Sequence, residues 1–157
     1  MKLKKLYSSR EVAAITGLTA RQLQWWDKRG IFTPAIPTHR TARGGFTERR
    51  YTPIELLELM VLADLRRRGF SVARLRRLLT VLRTRFKVRL YEAIEGGGPL
   101  TLFIDGEKIY ARTAGGDLFN VLEQPSQPLL MLGESVRLRE LTVRESPARK
   151  RKKVQSP

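Results

Sequence analysis

Apolar residues recur every three or four positions through the first ninety residues, and the pattern shifts toward alternation after residue 100. The first period belongs to helices and the second to strands. Four helices are predicted, each with start and stop signals. Ser8 opens the first, with Glu11 three residues on, so that hydroxyl and carboxylate can each satisfy an orphaned backbone N–H. Gly17 stops it. Thr19 and Gln22 repeat the arrangement for the second helix, which Gly30 ends. Thr52, Pro53 and Glu55 open the third, and Gly69 follows it. Ser71 opens the fourth, where Arg74 leaves the box incomplete. Val12 and Ile15 are expected to face inward from the first helix, and Leu23 and Trp26 from the second. Ile54, Leu57, Val61, Leu62 and Leu65 form the expected stripe on the third, and Leu75, Leu78, Leu79, Leu82 and Phe86 that on the fourth.

Gly17 and Leu18 leave so little chain between the first two helices that a sharp turn is forced, the geometry of a helix-turn-helix. Residues 31–51 read as non-helical, broken by Pro34 and Pro37 and turned by Gly44-Gly45. Arg40, Arg43, Arg49 and Arg50 charge this loop, against Glu48 alone, so it has the character of a wing lying along phosphates. The fourth helix is expected to extend through Leu90 and Ile94 and to stop before Gly96-Gly97-Gly98-Pro99. Leu100–Arg112 predicts a β-hairpin around Asp105-Gly106. Asp117–Leu122 and Leu129–Leu132 are candidate strands, and Val136–Val143 fits helix or strand.

Charge adds a partner to this outline. The 157 residues carry 31 Lys and Arg against 15 Asp and Glu, a net +16, which points to a polyanion. Residues 1–98 contribute +13, residues 99–143 −2, and residues 144–157 +5. The anion-facing surface therefore belongs to the helical part and the tail. Arg144–Pro157, with Arg149-Lys150-Arg151-Lys152-Lys153, has too few apolar residues to fold and is expected to be disordered. There is no cysteine and one histidine, His39, which removes thiolate metal sites, disulfides and Cys–His catalysis. No phosphate-cradling Gly-x-x-x-x-Gly-Lys occurs, so an enzyme is not expected, and no cofactor or metal can be read. No run of 18 apolar residues is present, and Met1–Leu6 is basic without the apolar core of a signal peptide; a cytoplasmic, nucleoid-associated protein is expected.

With Leu23 and Trp26 inward, the second helix turns Arg21, Gln22, Gln24, Trp25, Lys28 and Arg29 outward. Arginine can grip guanine bidentately and glutamine adenine, while Lys28 and the donors at the Thr19 helix start suit phosphates. Tyr7-Ser8-Ser9-Arg10-Glu11-Val12-Ala13, Thr16–Leu23, Trp25–Ile31, Arg49-Arg50-Tyr51-Thr52 and Leu65–Ser71 together resemble the DNA-binding domain of the MerR family in order and spacing. The resemblance covers roughly residues 6–84. It implies that Arg21 and Trp25 contact an operator from the recognition helix, and Arg50 and Tyr51 from the wing. The sequence departs from the family where the usual tyrosine pair is Trp25-Trp26, the usual glutamate is Asp27 and the usual preceding arginine is Gln24. The wing, Thr38–Thr47, is longer than the common form, and the long dimerising helix is not visible.

The resulting expectation is a mainly α fold. A winged helix-turn-helix DNA-binding domain occupies residues 6–86, a small β-containing module suited to dimerisation residues 87–143, and a disordered basic tail residues 144–157. The expected DNA-binding residues are Thr19, Arg21, Gln22, Gln24, Trp25, Lys28, Arg43, Arg49, Arg50 and Tyr51. Double-stranded DNA is the expected partner of a homodimer that regulates transcription, with RNA polymerase a candidate second partner, no membrane, and an effector the sequence leaves unnamed. An excisionase-like or nucleoid architectural protein and the DNA-binding partner of a toxin–antitoxin pair are the alternatives.

Overall fold

The computed structural model describes residues 5–36, 48–94, 96, 98–129 and 139–142. The chain begins with β1 (Tyr7–Ser8), α1 (Ser9–Thr16) and α2 (Ala20–Lys28), then β2 (Arg50–Tyr51) and α3 (Pro53–Arg67). It continues with α4 (Val72–Thr84), a 3-10 turn at Leu90–Ala93, and strands β3 (Leu100–Asp105), β4 (Lys108–Thr113), β5 (Leu118–Asn120) and β6 (Arg139–Glu140). These elements form two compact units, the first ending at Asp64 and the second starting at Leu65, so the division falls inside α3. This is earlier than the expected boundary after residue 86 and groups α4 with the sheet.

In the first unit, α1 packs against α2 and against both strands of the antiparallel β1–β2 ribbon. The caps are made as written in the sequence. Ser8 Oγ accepts from Glu11 N at 3.2 Å and Glu11 Oε1 accepts from Ser8 N at 3.2 Å; Thr19 and Gln22 do the same at 3.0 and 2.8 Å. Gly17 caps α1 in the left-handed region (φ 82°), where a side chain would be strained. Thr16 is buried beneath this turn, and its hydroxyl accepts from Leu18 N at 3.1 Å while donating to Val12 O at 2.8 Å. Ile15, expected in the core, is only half-buried, because Thr16 takes the inward position beside Val12.

The inward face of α3 also differs from expectation. Ile54 is 39% exposed and Leu57 half-buried, whereas Leu56, Leu59, Met60, Val61, Leu62 and Ala63 are buried. A helix apolar on nearly all sides has no unique stripe, so spacing alone cannot fix its phase.

In the second unit, α4 starts at Ser71, whose Oγ accepts from Arg74 N at 3.2 Å, and Leu75, Leu78 and Leu82 are buried as expected. Leu79 and Phe86 are half-buried. The expected extension of α4 to Ile94 does not occur. The helix ends at Thr84, Lys87 takes a left-handed φ of 59°, and Leu90 and Ile94 enter the core from the 3-10 turn and the residue after it. The sheet has the order β5-β4-β3-β6, all antiparallel. Asp105 pairs with Lys108, leaving a two-residue turn with Gly106 first at φ 58°, the position where a type II′ hairpin needs glycine. The part of Val136–Val143 that is described includes a strand, β6, and Leu129 N donates to Leu118 O at 2.7 Å. Residues 37–47 and 144–157, with the expected wing tip and tail, lie outside the described residues.

Register sorts the sheet into two faces. Leu102, Ile109, Ala111 and Phe119 share one face and are buried. Phe119 meets Phe86 edge-on with ring centroids 5.3 Å apart. Arg74 donates to Glu107 O, Arg77 Nε to Leu122 O at 2.6 Å, and Arg85 to Pro125 O and Ser126 O at 3.2 and 3.3 Å. The sheet thus covers α4, with three arginines tying its turns to the helix and the chain just after it.

Candidate nucleic-acid interface

The periodicity of α2 builds the site. Residues 21, 24, 25 and 28 recur at intervals of three and four, so their side chains rise from one face. Leu23 and Trp26, on the opposite side, are each 1% exposed and anchor the helix. Arg21, Gln24, Trp25 and Lys28 line a shallow open concavity of about 300 Å³. Trp25 is 43% exposed, and the Arg29 guanidinium lies 5.1 Å from its ring centre, within reach of a cation–π contact. Among the described residues no carboxylate pairs with Arg21 or Lys28. The face therefore offers two unneutralised cations, an amide and an exposed aromatic ring within two helical turns. Thr19 and Gln22 stand at the start of the helix, where their side chains are engaged in the capping box.

The base of the basic loop lies beside this helix in the same unit. Ile36 and Arg50 form an antiparallel bridge, with hydrogen bonds of 3.2 and 2.9 Å, that closes the loop between them. Arg50 points to solvent. Arg49 does not: its Nε donates to Asp27 Oδ2 at 2.5 Å, and the two side chains are only 16% and 14% exposed. Tyr51 is fully buried. Among the described residues its hydroxyl has no partner at hydrogen-bonding geometry. Burial pushes its pKa up to about 12; the Arg49 charge and the nearby Ser9 hydroxyl oppose the shift, and Asp27 and Glu55 add to it. Arg43 lies outside the described residues.

Of the ten residues expected from the sequence, four share the open α2 face, two cap that helix, Arg50 is exposed at the loop base, Arg49 and Tyr51 are turned inward, and Arg43 lies outside the described residues. Two functional side chains escaped the sequence reading. Asp27 is the partner of Arg49. Glu55, expected only as a cap, accepts from both Thr52 N at 2.8 Å and Ala35 N at 3.1 Å through one oxygen. The signal for Asp27 was a carboxylate in the last turn of a helix, where the macrodipole disfavours negative charge. Nothing in the spacing could have linked Glu55 to Ala35, twenty residues earlier.

Among the described residues no group of three or more His, Cys, Asp or Glu could hold a metal ion, and no helix is long and apolar enough to cross a membrane. Comparison with known proteins yields relatives of one kind. Uncharacterized HTH-type transcriptional regulators of Mycobacterium bovis and of two Mycobacterium tuberculosis strains are 29% identical over 136 residues, 87% of this chain and 56% of theirs. The chain spans little more than half the length of these curated relatives. A crystal structure of a transcriptional regulator of the MerR family from Bacillus cereus matches 48% of this chain and 52% of its own, at 24% identity and a TM-score of 0.38. The family model for MerR HTH regulatory proteins matches residues 7–82, a span that holds both helix pairs and the base of the basic loop. Over residues 7–82 this chain is therefore similar to the MerR HTH family of regulatory proteins.

Proposed function

We propose that this protein is a sequence-specific transcription regulator that reads double-stranded DNA with the exposed face of α2. One observation carries the reading: Arg21, Gln24, Trp25 and Lys28 stand together on an open surface with no neutralising carboxylate among the described residues. Regulators of this family bind double-stranded DNA, typically as dimers. Arg21 and Gln24 are the base-reading side chains, since their forks match guanine and adenine edges in the major groove. Trp25 packs its ring on a base or sugar edge. Lys28 and Arg50 neutralise phosphates and fix the register, with Arg43 extending that contact from the loop. Thr19 and Gln22 act through the helix start they cap, presenting backbone N–H groups to a phosphate.

A palindromic target read by a homodimer suits the short recognition helix, because two half-sites about one helical turn apart double the contacts. The small β-containing module, residues 87–143 as read from the sequence, is the surface we assign to self-association, and RNA polymerase is the partner through which such a regulator acts. Selection from random duplexes at moderate salt tests the core of the reading. A recovered consensus, bound more tightly than random competitor, is expected. Binding that shows no preference for any duplex would overturn it.

A further inference from the structure

We propose that Asp27 and Arg49 form a brace that fixes the base of the basic loop, at residues 48–50, beside the recognition helix, and that Arg49 is a positioning residue rather than a DNA ligand. This inference rests on the DNA-reading function above. Its basis is the 2.5 Å contact between Arg49 Nε and Asp27 Oδ2, which joins the last turn of α2 to the residue before β2. Both side chains are largely enclosed, so the pair is screened less than a surface ion pair. Enclosure also makes it costly to separate, since each partner would be left charged and desolvated. Arg49 could reach a phosphate only by abandoning Asp27, and the exposed Arg50 next to it is better placed for that contact.

Position gives the pair its function. Asp27 lies beside the last member of the 21, 24, 25, 28 face, and Arg49 lies one residue from Arg50. Ala35, at the other end of the loop, is held by the buried Glu55 of α3. The two ends are joined by the Ile36–Arg50 bridge. Two carboxylates from two helices thus fix both ends of residues 36–50. Of these two carboxylates Asp27 is the one that reaches from the reading helix itself, so it couples the base of the loop to the base-reading side chains.

The test uses the full chain. Its lack of native cysteine allows spin labels at Ala20→Cys on α2 and Glu48→Cys beside Arg49. A narrow inter-label distance distribution is expected in this doubly labelled parent. Asp27→Asn and Arg49→Gln should each broaden it and weaken binding to the parent's selected duplex about tenfold. The charge swap Asp27→Arg/Arg49→Asp should narrow the distribution again and recover part of the affinity, which a merely destabilised fold would not do. Arg49→Lys should broaden it less than Arg49→Gln, and this keeps the test decisive if Asp27→Asn fails to fold. Distances unchanged in the single variants, or already broad in the parent, would overturn the brace. If the parent selects no duplex, the DNA-reading function falls, while the distances still decide the brace.

Discussion

Arg21 and Arg50 carry the same charge, but they stand in different places and should fail differently. Arg21 is on the open α2 face, so Arg21→Ala should cost about 1–3 kcal/mol of specific affinity and relax preference at one base pair, read by binding to a panel of single-base variants. Arg50 is at the loop base, so Arg50→Ala should weaken all duplexes alike and reduce the slope of log affinity against log salt by about one. Tyr51 offers a third case. Its hydroxyl is buried and unpartnered, so Tyr51→Phe should leave stability at neutral pH unchanged or slightly raised. The folded pKa of about 12 lies above the unfolded value of about 10, so the unfolded chain loses this proton first. The stabilising contribution is full below pH 10 and is lost as pH rises toward 12. Across that window the stabilities of the parent and of Tyr51→Phe should therefore diverge, in the variant's favour, by roughly 2–3 kcal/mol. Equal pH slopes for the two proteins would show that the hydroxyl is not enclosed.

At the level of elements, the local signals were legible and the long-range ones were not. Each helix start could be read because a capping box is a four-residue pattern, and the Ser8, Thr19 and Thr52 boxes all form. Trp26 inward and Trp25 outward followed from spacing once Leu23 was placed. The end of α4 was not legible, because Leu90 and Ile94 continue an apolar rhythm that a 3-10 turn also buries. The β1–β2 ribbon was invisible for another reason: two-residue strands carry no alternation, and their partners are more than forty residues apart. Glu55 joins both kinds of information, as cap and as anchor of Ala35. Glu55→Ala removes the acceptor of both backbone donors, the part-buried Thr52 N and the solvent-accessible Ala35 N, and should cost about 1–3 kcal/mol in all. Thr52→Ala removes the hydroxyl alone and should cost about 1 kcal/mol. Chemical denaturation of the two variants separates the roles, since a purely capping Glu55 would cost no more than Thr52.

Over the whole molecule, the sheet is the part that lies beyond the helix-turn-helix elements, and its bonds show why it cannot be removed without consequence. Leu102, Ile109, Ala111 and Phe119 form one apolar face, and Phe119 meets Phe86 just beyond α4. Arg74, Arg77 and Arg85 donate to carbonyls in the turns of the sheet. Residues 72–89 hold seven Lys and Arg and no carboxylate. Those three carbonyl contacts lower the repulsion between close cations by drawing the guanidinium groups toward negative dipoles. A chain ending at Gly98 loses the apolar cover and these acceptors together. It should show faster amide exchange throughout α4 and a lower midpoint of thermal unfolding, while the caps of α1 and α2, all within the first unit, keep their protection. Adding sulfate, which screens the arginines and favours burial, should recover part of the lost α4 protection. If α4 in the shortened chain exchanged as slowly as in the full one, the helix would owe its order to the remaining helices, and the arginine contacts would be surface ornaments.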